Sequence, residues 1–145
     1  MFSIRVSAAS VTNRGAFPQA GAELRLGNDF LVFGIDLRHW TIADYEAQWR
    51  EGIWRILEGA STSALMTAYA GPAGHMHHMW ALWREEKSLY VQQHAVMNGD
   101  LDHPFVPNNP YAYVGTRIPA SKYELPIPEW RVNLSDVFAA AKQIP

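Results

Sequence analysis

The chain has 145 residues, of which 48% are hydrophobic and 18% charged, and its formal net charge is −2. This length and hydrophobicity are sufficient to bury a core, so we expect one globular domain over residues 1–145. The near balance of 12 basic and 14 acidic residues disfavours a general attraction to DNA or RNA. The absence of cysteine excludes disulfides and thiolate metal sites. No apolar run could span a bilayer and no signal-peptide pattern opens the sequence, so we expect a soluble cytoplasmic protein.

Strands are predicted in the first quarter of the chain. Apolar and polar residues alternate over residues 3–8, which predicts a strand, whereas the glycine and proline in residues 13–21 predict a loop. Residues 23–26 and 30–37 are typical of strands, and the turn sequence Gly27-Asn28-Asp29 between them predicts a β-hairpin.

An amphipathic helix is predicted to begin after Thr41, an N-cap residue with Asp44 in the capping-box position. Gly59 is expected just beyond the end of the helix, and Gly52 in its middle suggests a close approach to a sheet. One face is apolar, with residues at spacings of three and four: Ile42, Tyr45, Trp49, Ile53 and Ile56. The remaining polar residues are predicted to face water: Asp44, Gln48, Arg50, Glu51, Arg55 and Glu58.

Three further strands are predicted at residues 63–69, 75–84 and 89–97, forming an antiparallel meander joined by turns at 71–74 and 85–88. The middle strand is expected to be central and covered on both sides, because large apolar residues alternate on its two faces. One face carries Met76, Trp80 and Leu82, and the other Met79, Ala81 and Trp83.

The last third is expected to be less regular. A long loop is predicted over residues 98–119 by Pro104, Pro107 and Pro110 and two consecutive asparagines, and loops of this length are more often functional than accidental. Residues 122–127 can form at best an edge strand, since Pro126 and Pro128 cannot donate hydrogen bonds. A short helix is predicted over residues 134–142, capped by Asn133 with Asp136 at N3. The predicted fold is therefore α+β, with a mostly antiparallel sheet, one main helix and a C-terminal helix.

Catalytic and metal-binding patterns are weak. His75 and His77 would share one face of a strand and could in principle provide two ligands to zinc, so a small histidine-based metal enzyme remains an alternative. The sequence has no Gly-x-Ser-x-Gly elbow, and Glu85 and Glu86 are adjacent residues of a tight turn, where carboxylates are solvated and keep ordinary acidity. We therefore expect no enzymatic activity, no bound metal and no cofactor.

The chain contains six tryptophans and six tyrosines, a composition that also suits base stacking with single-stranded nucleic acid. Most of these residues lie on the predicted helix or the middle strand, where burial in the core explains them. Tyr111 and Tyr113 lie in the predicted long loop, where exposed tyrosines favour a protein interface. A single-stranded nucleic-acid binder remains a second alternative, although the scattered basic residues speak against it.

A set of short segments, in this order and spacing, resembles the immunity proteins of bacterial contact-dependent growth inhibition, the CdiI family. The resemblance extends over roughly residues 23–143. The segments that carry it are His39-Trp40-Thr41-Ile42-Ala43-Asp44-Tyr45, Trp49, Leu57-Glu58-Gly59, Ser63-Ala64-Leu65, Trp80-Ala81-Leu82, Leu89-Tyr90-Val91-Gln92 and Glu129-Trp130.

The resemblance implies a binder that neutralises the C-terminal toxin domain of a cognate large exoprotein. That domain is often a nuclease, and in the most similar type it resembles the ribosome-cleaving colicins. The implied fold is a twisted, sandwich-like antiparallel body similar to the Whirly fold of single-stranded DNA-binding proteins. The resemblance carries no contact residues across, so we expect the toxin to meet exposed groups of the turn and the loop. These are Glu85, Glu86, Asp100, Asp102, Tyr111 and Tyr113.

Overall fold

The computed structural model describes residues 1–7, 11–14 and 17–141. These residues form eight β-strands in two antiparallel sheets, two α-helices and three short 3-10 helices. The prediction of an α+β fold with a mostly antiparallel sheet is confirmed. Neither described α-helix has the length and hydrophobicity that crossing a membrane requires.

The first sheet is built around a long strand that begins earlier than predicted. Its strands are β1 (Phe2–Val6), β2 (Thr12–Arg14), β3 (Phe17–Leu26) and β4 (Asp29–Asp36). Strands β1 and β2 pair with one edge of β3, and β4 pairs with the other in the predicted hairpin.

The loop predicted at residues 13–21 is wrong, because β2 and β3 occupy most of it. Residues 15 and 16 of that loop, and residue 8 of the first predicted strand, lie outside the described residues. Pro18 has no N–H to donate and lies near the start of β3, where proline is tolerated, and its carbonyl accepts a hydrogen bond from the Leu37 N–H at 3.0 Å.

Helix α1 (Ile42–Leu57) begins and ends as predicted. The Thr41 side chain accepts a hydrogen bond from the Asp44 N–H, and the Asp44 carboxylate accepts one from the Thr41 N–H, which completes the capping box. Gly59 follows the C-cap with a φ of 108°, a conformation that favours glycine. Four of the five predicted apolar positions are fully buried and Ile42 is partly buried.

The second sheet contains the predicted meander and one strand that the sequence analysis missed. Its order is β5 (Thr62–Ala68), β6 (Met76–Glu85), β7 (Ser88–Met97) and β8 (Glu129–Asn133). Strand β6 is internal and largely buried on both faces as expected, but Met76 at its start and Glu85 at its end are exposed. The edge strand predicted at residues 122–127 is wrong. A 3-10 helix, Ala120–Lys122, lies there and the added strand comes later, after the prolines.

Helix α1 covers the free edge of β5 through side-chain hydrogen bonds. The buried Gln48 amide donates to the Ala64 carbonyl at 2.8 Å and accepts from the Met66 N–H at 2.7 Å, as a neighbouring strand would. Trp49 Nε1 donates to the Met66 carbonyl at 2.8 Å. The expectation that Gln48 faces water is therefore wrong, because the strand edge needs its amide. The close approach predicted at Gly52 is confirmed, since a Cβ there would lie 2.4 Å from the Ala64 oxygen.

The two sheets and both helices share one apolar core, in which Phe33 packs edge-on against Trp49 and Trp80. Helix α2 (Leu134–Ala140) packs against β1 and β8. Asn133 occupies its N-cap but makes no side-chain capping bond, and Asp136 instead pairs with the Met1 ammonium at 3.2 Å. Residue 142, the predicted end of this helix, lies outside the described residues.

The long predicted loop is confirmed over residues 98–119 and lies on one face of the second sheet, interrupted by the 3-10 helices Asn98–Asp100 and Pro110–Tyr113. We call residues 98–128 the covering segment. Trp83 Nε1 donates to the Gly115 carbonyl at 2.8 Å, and Phe105 stacks on His77 with ring centroids 4.1 Å apart. The segment therefore buries a sheet face that would otherwise be exposed.

Candidate binding surface

The two glutamates predicted as toxin contacts lie at the β6–β7 turn. Glu86 is exposed and adopts a φ of 56°, which the tight turn requires. The Glu85 side chain is 48% exposed and accepts a hydrogen bond from Arg117 Nη1 at 3.1 Å. Glu86 is therefore directed to solvent, while Glu85 also helps to hold the covering segment.

Arg117 joins this turn to two strands. Its guanidinium makes a two-pronged contact with Glu129, at 2.8 Å and 2.9 Å, and lies 3.6 Å from the centroid of the Tyr90 ring. The hydrogen bonds from Arg117 lower the pKa of Glu129 below its usual range. This cluster fixes the covering segment to β7 and β8 and makes the region around Glu85 rigid.

Asp100 and Asp102 lie at the opposite end of the β6–β7 hairpin. Strand β6 has 10 residues, and at roughly 3.4 Å per residue the two ends are about 30 Å apart. Both aspartates are exposed. The predicted contact residues therefore form two separate groups rather than one compact patch.

Asp102 and Tyr113 are brought together through His103. Asp102 Oδ1 lies 2.6 Å from His103 Nδ1, and His103 Nε2 lies 3.0 Å from the Tyr113 hydroxyl, which also accepts from the Val106 N–H at 2.9 Å. The hydrogen bond from His103 lowers the pKa of Asp102, so this exposed carboxylate stays ionised. The half-buried Tyr113 ring stacks on Phe105 with centroids 4.5 Å apart.

The expected exposure of Tyr111 is wrong, because only 6% of the residue is exposed. Its hydroxyl donates to Glu51 Oε1 at 2.6 Å and accepts from Gln48 Nε2 at 3.2 Å, while Arg55 lies 4.0 Å from the ring centroid. Burial and the bond to Glu51 raise the pKa of Tyr111 above its usual range, so it remains a phenol. Tyr111 is therefore a buried hydrogen-bond partner of the polar side chains of helix α1, and its role at this surface is indirect.

A groove of about 290 Å³ runs between helix α1 and the covering segment. We call it the α1 groove. Asp44 and Glu51 are the charged residues among those that line it. The Trp40 ring is held edge-on against Tyr45, with ring centroids 5.1 Å apart. The full lining consists of Trp40, Asp44, Ala47, Gln48, Glu51, Pro107, Asn108 and Pro110.

Asp44 and Glu51 are predicted from the sequence to lie on the solvent side of the helix, with no further role. Their spacing, with Gln48 between them, puts all three on one helical face. The sequence alone could therefore have identified this shared face. The wall that faces them could not be deduced, because it depends on where the proline-rich segment folds back.

The histidine pair proposed as a zinc site is not available in this arrangement. His75 precedes β6 and is exposed, whereas His77 is fully buried. His77 Nδ1 accepts from the Ala70 N–H at 3.1 Å, and its Nε2 lies 3.1 Å from Asn98 Oδ1, so both ring nitrogens are occupied. Burial lowers the pKa of His77 and keeps the ring neutral. Within the described ranges no three His, Asp or Glu side chains are grouped closely enough to hold a metal ion.

Comparison with known proteins gives two matches. The model of the family described as the CdiI N-terminal domain matches residues 35–140. A chain of the solved "CdiA-CT/CdiI toxin and immunity complex from Enterobacter cloacae" is similar, with a TM-score of 0.87 and 21% sequence identity over 99% of this chain and 98% of that chain. At this identity the structural likeness shows a shared fold. No curated protein matches the chain.

Proposed function

Because the chain belongs to the CdiI N-terminal domain family of immunity proteins, we propose that it binds and neutralises the C-terminal toxin domain of a cognate contact-dependent growth inhibition exoprotein. The family match over residues 35–140 is the observation that carries this proposal. It confirms the resemblance drawn from the short sequence segments. Neutralisation by binding requires a rigid, complementary surface and no reactive group, so we also propose that the chain has no catalytic activity and binds no cofactor.

The structure supports such a role through its rigidity. The edge of β5 is bonded to helix α1, and Arg117 fixes the covering segment to β8. Surfaces held in this way change little on binding, so their groups are already placed for a partner.

We further propose that the toxin is a nuclease and that the chain acts in the cytoplasm, where RNA is the substrate. Exposed carboxylates complement the positive charge of a nucleic-acid-binding surface. Asp44, Glu51, Glu86, Asp100 and Asp102 supply such groups. Incubation of ribosomes or total RNA with the purified toxin domain should give cleavage, and an equimolar amount of the chain should abolish it. An intact RNA pool in the absence of the chain would contradict an RNA-cleaving toxin but leave the binding proposal.

Co-expression tests the binding role directly. The toxin domain of the exoprotein encoded beside this chain should arrest growth when it is produced alone, and the chain should restore growth and co-purify with it. Growth arrest that persists with soluble chain present, together with no complex in gel filtration, would contradict the proposal.

The two predicted groups of contact residues can be separated by single variants. Glu86→Lys probes the β6–β7 turn without removing the Glu85 bond to Arg117, and Asp100→Lys probes the opposite end of the hairpin. Asp29→Lys, at another exposed turn, is the matched charge control. A contact residue should weaken toxin binding by tenfold or more when its charge is reversed, whereas the control should retain full affinity.

The alternatives from the sequence analysis find less support. Arg5, Arg38 and Arg117 pair with carboxylates, and Arg84 donates to the Ile56 carbonyl, which reduces the positive charge available to a nucleic-acid strand. A low-salt filter-binding assay with single-stranded oligonucleotides checks this, and we expect no retention. The metal-enzyme alternative loses its proposed ligand pair because His77 is buried with both ring nitrogens occupied.

A further inference from the structure

We propose that the α1 groove receives a basic side chain, a lysine or an arginine, of the toxin domain. This inference rests on the proposed function and names the surface through which it operates. It places a contact on helix α1, away from the turn and loop ends to which the sequence had pointed.

The charge of the groove determines its occupant. Asp44 and Glu51 contribute carboxylates, while no lysine or arginine is among the residues that line it. Asp44 Oδ2 accepts from the Thr41 N–H at 2.8 Å, and Glu51 Oε1 accepts from the Tyr111 hydroxyl at 2.6 Å. Each bond uses one oxygen of its carboxylate, and each carboxylate carries a second oxygen. A cation between them would gain charge-assisted hydrogen bonds.

The walls of the groove suit the rest of such a side chain. The half-buried Trp40 ring offers an aromatic surface to a cation, and its tilted contact with Tyr69, with centroids 5.6 Å apart, helps to fix it. Pro107 and Pro110 form the facing wall with restricted backbone angles. Methylene groups of a lysine or arginine can pack on these apolar surfaces while the charged end reaches the carboxylates.

The site is also ordered before binding. The capping box fixes Asp44, and the buried Tyr111 hydroxyl fixes Glu51. Binding to this ordered surface therefore costs less conformational entropy than binding to mobile side chains would. Tyr111 thereby becomes a positioning residue, which gives this predicted contact an indirect role.

The first test is Glu51→Gln, measured by calorimetry with the purified toxin domain encoded beside this chain. Glutamine keeps an oxygen that can accept from Tyr111 but removes the negative charge, so the fold should be retained and affinity should fall about tenfold or more. Glu58→Gln, at an exposed carboxylate of the C-cap outside the groove, makes the same change in net charge and should stay within about twofold.

A second variant fills the groove instead of neutralising it. Ala47→Lys places an ammonium group of this chain among the lining residues on an exposed, helix-compatible position, and should lower the affinity at least as much as Glu51→Gln. Ala43→Lys is the control, since this exposed residue of the same helix is not among the lining residues. Melting temperatures close to that of the unmodified chain establish that both variants are folded.

The identity of the occupant is tested from the toxin side. Each exposed lysine and arginine of the toxin domain is changed to methionine, and its affinity is measured with the unmodified chain and with Glu51→Gln. At one of these toxin residues, the change to methionine should weaken binding to the unmodified chain. The same change should reduce the affinity for Glu51→Gln little further. If the unmodified chain binds toxin and both groove variants bind equally well, the groove inference is wrong and the proposed function stands. Absence of binding by the unmodified chain would overturn both.

Discussion

Helix α1 and the covering segment both shield the second sheet from water, but they do so with different chemistry. The helix covers the free edge of β5 with fully buried apolar side chains and with bonds from Gln48 and Trp49 to the strand. The covering segment lies on a sheet face. It adds Phe105 and Tyr111 to the core, but polar and ionic contacts of Arg117, Gln92 and Trp83 also hold it to the sheet. The helix therefore contributes a whole apolar face to the core, whereas the covering segment contributes single side chains and is otherwise attached at separate points.

This difference has consequences for stability. Loss of close packing between α1 and β5 exposes or strains the core itself, which costs several kcal/mol in well-packed proteins. Loss of a single polar contact in the covering segment affects a local attachment, where a hydrogen bond to a charged group contributes about 2 kcal/mol. The helix side should therefore control global unfolding, and the covering segment should open more easily on its own.

The largest effect is expected at Gly52, where α1 comes closest to β5. Gly52→Ala would place a Cβ 2.4 Å from the Ala64 carbonyl oxygen, so the helix must move away from the strand. We expect a loss of about 3 kcal/mol in the free energy of unfolding, although alanine is normally the better helix former by about 1 kcal/mol. Chemical denaturation measures the change.

Gly99→Ala is the matched control, because a Cβ at this position of the covering segment has no atom within 4 Å. Its stability should equal that of the unmodified chain. Equal stability of Gly52→Ala would show that the helix can withdraw from the strand without cost, and the distinction between the two covers would disappear.

The sequence predicted α1 well because its signals are local. Thr41 and Asp44 form the capping box within the first turn, and Gly59 directly follows the C-cap, so each signal lies within a few residues of the helix end that it marks. The prediction failed at Gln48, because its polar side chain suggested a position exposed to solvent. Its partners lie in β5, up to 18 residues away, and a polar residue that bonds a strand edge looks like a solvated one in the sequence.

The covering segment illustrates the opposite case. Its prolines correctly predicted the absence of regular strands, but where it lies depends on partners far away in the chain. Tyr111 contacts Glu51 at a separation of 60 residues, and Arg117 contacts Glu85 at a separation of 32. Such contacts leave no periodic trace. The burial of Tyr111 and the α1 groove therefore could not be predicted from local patterns, whereas the exposure of the glutamates at the β6–β7 turn could.

A smaller effect is expected from Arg117→Met, which removes the ionic attachment of the covering segment. Glu129 would keep its bond from Gln92 at 2.6 Å but lose the guanidinium, so its pKa should rise towards the ordinary value. We expect a loss of about 2 kcal/mol in global stability, since both partners are only 15% exposed, with the largest increase in amide exchange and proteolysis in residues 98–128.

Lys122→Met is the control for Arg117, because it removes an exposed positive charge from the same segment. Its exchange pattern and protease sensitivity should match those of the unmodified chain. Uniform acceleration of exchange over β5 and α1 in Arg117→Met would mean that the covering segment and the core unfold together.

The smallest effect is expected from mild acid, acting where the covering segment stacks on His77. Burial lowers the pKa of this imidazole from its ordinary 6.5, and burial lowers those of His78 and His94 in the same direction. The unfolded chain therefore takes up protons at a pH where the folded chain does not. The stabilisation is complete above about pH 6.5 and is lost as the pH falls below it. The melting temperature should fall by a few degrees between pH 7.5 and pH 5.

The His77→Gln variant distinguishes this buried ring from the other two histidines. The glutamine side chain can accept a hydrogen bond from the Ala70 N–H or donate one to Asn98, but it cannot take up a proton. The melting temperature of the variant protein should therefore depend less on pH. The slope between pH 7.5 and pH 5 is the diagnostic quantity, because the variant can also be less stable at every pH. Parallel curves for the variant and the unmodified chain would mean that His77 does not cause the acid sensitivity and that other titrating groups do.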